Sequence, residues 1–159
     1  MKDHIISSSC ILLSALLVLV FTPRDRIRDA NVVFLFKQVI TWLFGLMVVQ
    51  FRLIEYPIRE FPYATKASFA FEYFIFPSMC VIFVLRFPER KSRLHKLGWY
   101  LFWPTWLTIV EQIIRLHTNL VQYLHWNWFL TWITLLASFF ISHLYYKWFV
   151  RKGVPSRSL

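Results

Sequence analysis

Five apolar runs alternate with short charged connectors along the chain, over residues 5–22, 31–51, 67–87, 97–116 and 126–149. A helix crosses the hydrocarbon layer of a bilayer in about 20 apolar residues, and each run is close to that length. The pattern predicts an all-α integral membrane bundle of five transmembrane helices, forming one transmembrane domain over 1–159. The first run begins near Met1, as a cleaved leader would. Yet Asp3 accompanies Lys2 ahead of it and no small-x-small cleavage site follows, so it is read as a span. Pro77 falls inside the third run, where it removes one backbone hydrogen bond that neighbouring helices must replace.

Polar positions inside the runs recur at helical spacing. Gln38, Thr41, Trp42 and Gly45 mark a helix-contacting face on the second run. Lys37 lies within two turns of the charged end and is expected to snorkel back to the interface. On the fourth run Thr105, Thr108, Glu111, Gln112 and Arg115 form a polar stripe. On the fifth, Asn127, Thr131, Thr134, Ser138 and Ser142 form another. Two such stripes on adjacent antiparallel helices are expected to face each other or a shared wet cavity.

Composition agrees with the pattern. Hydrophobic residues make up 58% of the 159, aromatics 20% and charged residues 16%. Soluble domains run nearer about 45–50% apolar and about 25% charged. The net charge of +10 sits between the apolar runs rather than on one soluble face, which argues for lipid headgroups and against nucleic acid. Twelve Lys and Arg fall on the connectors 22–30 and 86–97 and the C-terminal end, including Lys147, Arg151, Lys152 and Arg157. Four fall on the other side (Lys2, Arg52, Arg59 and Lys66). The positive-inside rule therefore expects the N-terminus outside and the C-terminus cytoplasmic.

Three features carry candidate chemistry. The outer connector 52–66 holds Arg52, Glu55, Arg59 and Glu60; if helical, the first three form an interlocking charge ladder. Tyr56, Phe61 and Tyr63 would anchor the connector at the headgroup layer. Glu72 lies among aromatics just inside the third run, where Arg52 or Arg59 is the expected partner. Glu111, near the middle of the fourth run, has Arg115 one turn on as its natural partner. With Thr108 and Gln112, these three charged side chains form the candidate polar core for a ligand. His125-Trp-Asn-Trp128 reads as an interfacial aromatic anchor. The five histidines and two cysteines show no metal spacing, and phosphate-loop and nucleophile-elbow motifs are missing. The sequence thus calls for no metal and no cofactor.

Arg-Leu-Ile-Glu-Tyr-Pro-Ile-Arg-Glu-Phe-Pro (52–62), Phe-Glu-Tyr-Phe-Ile-Phe-Pro-Ser (71–78), Trp-Pro-Thr (103–105) with Glu111, and His-Trp-Asn-Trp (125–128) stand together in one chain. From about residue 30 onward the sequence resembles a family of small multi-pass membrane proteins of spore-forming Gram-positive bacteria, for which no reaction is established. The resemblance implies a bacterial cytoplasmic membrane setting and a link to sporulation. It assigns no residue a role. The leading functional reading is non-enzymatic: the bilayer as surroundings, and a small ligand, lipid headgroup or protein partner bound at the polar core or the outer connector. Two alternatives stand beside it. One is a transporter lined by the fourth and fifth helices, as a homo-oligomer; the other is a lipid- or isoprenoid-modifying enzyme using Glu72 and Glu111.

Overall fold

A computed structural model describes residues 2–153, with side chains through residue 150. Arg157 of the charge count lies outside the described residues. The chain is all-helical apart from one small two-stranded pairing. Its α-helices are α1 (Lys2–Phe21), α2 (Ile27–Gln50), α3 (Phe76–Leu85), α4 (Arg93–His117) and α5 (Trp128–Gly153). Three segments are long and apolar enough to cross a membrane: Lys2–Phe21, Arg24–Gln50 and Trp128–Val150. The third apolar run is shorter than expected, Phe69–Leu85. α4 begins at Arg93 rather than 97, and it falls outside that set.

α3 is the centre of the molecule. Every residue from Phe76 to Leu85 is buried, as expected of a helix that is apolar all round. α1, α2 and α5 pack against it, and α4 reaches it where Trp99 Nε1 donates to the Phe83 carbonyl at 3.1 Å. The inward faces of α1 and α2 are mostly small or polar, whereas α4 and α5 also bury Trp103, Leu107, Ile114, Leu135 and Phe139. α1 buries Ser7 and Ser14, and α2 buries Ala30, Val33, Lys37, Gln38, Thr41 and Gly45. Small residues let helix backbones approach closely. The outward faces are leucine, isoleucine, phenylalanine and tryptophan: Leu12, Leu16 and Leu19 on α1, Leu35, Val39 and Leu43 on α2, Trp106, Ile109 and Ile113 on α4, Phe140, Ile141 and Leu144 on α5. Buried Lys37, Glu72, Glu111 and His143 inside, and many large apolar side chains exposed outside, depart from the pattern of a water-soluble domain.

The third run does not begin as an α-helix. Phe69–Ile75 is a π-helical segment in which Phe76 N–H donates to the Phe71 carbonyl, five residues back. Pro77 follows, with no N–H to give. In α register that donor would have bound the Tyr73 carbonyl, and in π register the Glu72 carbonyl. Both carbonyls receive a donor from α2. Gln38 Nε2 donates to Tyr73 O at 2.8 Å, and the Thr41 hydroxyl donates to Glu72 O at 2.5 Å. Trp42 packs edge-on against Tyr73, ring centroids 5.7 Å apart. The face of α2 marked by its polar spacing is thus the surface that repairs the proline defect.

Both connectors at one end are joined. Strand β1 (Ile54–Glu55) pairs antiparallel with β2 (Gln122–Tyr123), Ile54 opposite Tyr123 and Glu55 opposite Gln122. Leu124 N and His125 N both donate to the Leu53 carbonyl. At the other end Arg26 donates to the Leu85 carbonyl and to Tyr146 Oη, Arg86 donates to Phe21 O, and Lys147 pairs with Glu89 at 3.0 Å. Connectors 22–30 and 86–92 therefore share one end with the later part of α5, and connectors 51–68 and 118–127 share the opposite end.

The expected charge ladder at 52–59 does not form, because this stretch is not helical. α2 ends with Leu53 N bonding back to Val48 O, and Arg52 sits at φ 54°, the left-handed position that usually takes glycine. Arg59 spends its guanidinium on backbone carbonyls instead of on Glu55: Tyr56 O at 2.7 Å, Thr65 O at 2.8 Å and Pro62 O at 3.3 Å. It holds the shape of the connector.

Candidate functional site: a carboxylate-lined interior cavity

A cavity of about 80 Å³ lies between α2, the π-helical segment, α4 and α5. Glu72 and Glu111, 39 residues apart in sequence, both line it. Each residue is 8% exposed. Tyr56, Thr131, Ser138 and the rings of Phe44, Phe76 and Trp126 complete much of the wall.

Glu72 enters the cavity because α2 has no side chain in its way. A Cβ on Gly45 would stand 2.9 Å from both Cγ and Cδ of Glu72, well inside ordinary carbon contact. Its partner is not Arg52 or Arg59. Tyr56 Oη donates to Glu72 Oε1 at 2.9 Å. β1 and the turn after it bring Tyr56 under the bundle, so this ring is interior and only Phe61 and Tyr63 remain exposed from the expected anchor trio.

Glu111 is likewise held by hydroxyls and not by Arg115. Tyr123 Oη and Thr131 Oγ1, the latter at 3.0 Å, both donate to Glu111 Oε1. Arg115 instead donates to Gln112 Oε1 at 3.0 Å and lies over the Tyr123 ring, 4.9 Å from its centroid. Gln112 Nε2 in turn donates to Tyr123 Oη at 2.8 Å. Gln112 and Arg115 are therefore braces for Tyr123 rather than cavity walls. Thr108, one turn before Glu111, is buried with its hydroxyl unpartnered among the described residues. Burial, reinforced by the nearby Glu72 and Glu111 carboxylates, pushes the Tyr56 phenol well above its ordinary pKa. Burial and Glu111 push Tyr123 up as well. Both phenols are donors at neutral pH.

Lys37 does not snorkel. It is 0% exposed, donates to Ser138 Oγ at 2.5 Å, and lies over the Phe139 ring, 4.4 Å from the centroid. The fifth helix closes its backbone stripe inward through Thr131, Ser138 and Ser142, all buried. Asn127 leaves that stripe: it is exposed, and its Oδ1 accepts from Leu130 N as the cap of α5. Trp126 is turned inward from the supposed anchor, donating to Thr131 Oγ1 at 2.9 Å.

The outer-connector candidates divide. Glu60, which had no same-face partner in the sequence, accepts from Ser7 Oγ at 2.6 Å and from Ala70 N at 3.2 Å, tying α1 to the start of the π-helical segment. Arg52 and Glu55 stay exposed beside an open cleft shared with Arg59 and Lys66. Lys37 and Tyr56, expected at the interface, lie inside, and Tyr123 drew no sequence signal at all. Their partners stand 101, 16 and 12 residues away, and contacts between separate elements leave no periodic trace. Among the described residues no three His, Cys, Asp or Glu side chains converge as metal ligands would.

Comparison with family models, with curated proteins and with solved structures finds no match for this chain. The site is therefore judged on its own geometry.

Proposed function

We propose that this chain is an integral membrane protein, non-enzymatic, whose interior cavity binds a small solute. The observation that carries the reading is the convergence of Glu72 and Glu111 on one cavity, each held by neutral hydroxyls and neither by a cation. A buried carboxylate without an ion-pair partner is costly unless something else compensates it. Binding is favoured over conduction by what lies beyond Lys37. Phe139 packs on its ammonium and Phe83 packs on Phe139, centroids 5.1 Å apart, and both rings are fully buried. That aromatic plug stands between the cavity and His143.

The exposed apolar side chains and three long apolar helices support a membrane setting, with α3 sheathed by its neighbours and α4 completing the ring. In this reading all five helices span, and the end carrying 22–30 and 86–92 faces the cytoplasm because it holds most of the basic residues. A bacterial cytoplasmic membrane and a role in spore formation rest on the sequence resemblance alone. Thiol labelling of Glu60→Cys and Ser92→Cys in intact cells tests orientation. Position 60 is expected to react from outside, and reaction at 92 instead reverses the assignment.

The binding reading is tested by thermal unfolding of the purified protein in lipid nanodiscs against a panel of small amines, alcohols, carboxylates and sugars. At least one solute is expected to raise Tm in proportion to the logarithm of its concentration. Thr134→Phe, which fills the cavity from α5, should abolish that shift. A panel without effect, or a shift that survives the filled cavity, refutes the reading.

A further inference from the structure

The cavity carries more information than its carboxylates. The interior holds two acidic groups, Glu72 and Glu111, and one ammonium, Lys37, whose hydrogen bond goes to Ser138 and whose charge rests on Phe139. No ion pair joins the three among the described residues. Arg115 lies over the ring of Tyr123, the donor to Glu111, so neither cation meets a carboxylate directly. Glu72 Oε2 and Glu111 Oε2 accept no hydrogen bond among the described residues, although both residues are more than nine-tenths buried. Four aromatic side chains, Phe44, Tyr56, Phe76 and Trp126, share the remaining wall with aliphatic and hydroxyl side chains. Aromatic faces attract a cation, most strongly one that is weakly hydrated, such as a quaternary ammonium. At about 80 Å³ the space is far below that of a drug-sized site, roughly 300–1,000 Å³.

Resting on the small-solute reading above, we propose that the ligand is a small monovalent organic cation of the alkylammonium class, seated between the free carboxylate oxygens and the aromatic wall. The two carboxylates accept only from hydroxyl donors, which leaves a cation free to bind them. The other titratable or charged groups that face the site are Tyr56 and Tyr123 from the connectors, Lys37 from α2, Cys80 from α3 and Arg115 from α4. The tyrosines, held up by burial, stay neutral. Phe44 is half exposed on the outer face of α2, which puts the rim of the cavity among exposed apolar side chains and suits a cation with a hydrocarbon surface.

Ethylammonium and its uncharged near-isostere ethanol, each of three heavy atoms, separate charge from size. In nanodiscs, ethylammonium chloride is expected to raise Tm over a sodium chloride control, and the neutral isostere should bind at least tenfold more weakly. Glu72→Gln and Glu111→Gln should each lose tenfold or more. Phe44→Leu, at the rim and safe for folding, should lose several-fold, while Glu89→Gln at the far end changes nothing. Equal binding of the isostere overturns the cation and leaves the small-solute reading standing. So does a response confined to anions or sugars in the wider panel. Sodium acting as strongly as ethylammonium overturns the organic class. Silence from every solute overturns both readings together.

Discussion

Gly45→Ala sets two elementary effects against each other. In the middle of a helix, alanine is favoured over glycine by about 1 kcal/mol. Gly45 lies well inside α2, so propensity alone predicts a stabilised protein. The structure predicts the reverse. The new Cβ would sit 2.9 Å from Glu72 Cγ and Cδ and 3.2 Å from Oε1. Cγ is near the root of the side chain, so the carboxylate cannot swing clear without leaving Tyr56. Overpacking of this kind typically costs about 1–3 kcal/mol, and a hydrogen bond to a charged group adds about 1.5–3 kcal/mol if it breaks. After the helix gain, the net destabilisation is about 1.5–5 kcal/mol with the Tyr56 bond broken and about 0–2 kcal/mol with it kept. The assay is reversible unfolding in mixed micelles, read by circular dichroism, on a cycle of Gly45→Ala, Glu72→Ala and the pair. Once Glu72 is truncated the clash is gone, and Gly45→Ala should become neutral or stabilising. Gly98→Ala is the control: nothing lies within 4 Å of its Cβ position, so it should follow propensity and stabilise by up to about 1 kcal/mol. If Gly45→Ala stabilises the wild type as Gly98→Ala does, the close approach of α2 to Glu72 is refuted.

Gln38→Leu should cost about 1–3 kcal/mol by orphaning the Tyr73 carbonyl, but much less in a Pro77→Ala background, where a backbone N–H is restored; equal costs in both backgrounds, measured in the same unfolding assay, refute the repair role. Glu89, outside the spans, offers a pH test. Partial burial pushes its carboxyl up, but Lys147, then His143 and Lys96, outweigh burial and hold it below its ordinary pKa. A depressed folded-state pKa means stability that is complete above the unfolded value of about 4.3 and lost as pH falls through the lower folded value. Glu89→Gln should thus cost up to about 1 kcal/mol at neutral pH, the range of exposed pairs. The gap should close in more acidic buffer, and a gap independent of pH between 3 and 7 counts against the pairing.

Much of the architecture was legible because periodicity survives without knowledge of partners. The number of helices, the connectors that share an end, and the face Gln38–Thr41–Trp42–Gly45 all follow from spacing. Pairings were not legible. Glu111 and Arg115 stand one turn apart, yet Tyr123 intervenes: its hydroxyl takes the carboxylate and its ring takes the guanidinium. Arg59 was expected to seek a carboxylate and instead found three carbonyls, because a connector with Pro57 and Pro62 leaves backbone acceptors that no helix satisfies. Lys37 had enough length to reach the interface by helical arithmetic. The structure buries it because Ser138 and Phe139 on α5 offer a hydroxyl and a ring at the same depth.

The cavity itself follows from the proline. Pro77 cannot donate, so the turn before it relaxes into π register, which widens the helix and frees two carbonyls. Gln38 and Thr41 engage those carbonyls and draw α2 against the widened turn. At that distance only glycine fits at position 45, and the space it leaves is occupied by the Glu72 side chain. Tyr56 then has a carboxylate to meet, which fixes the connector beneath the bundle, and β1 carries Tyr123 of β2 to Glu111. Each step supplies the condition for the next, so the aromatic and acidic stretch at 69–77 and the charged connector at 52–62 are two walls of one structure.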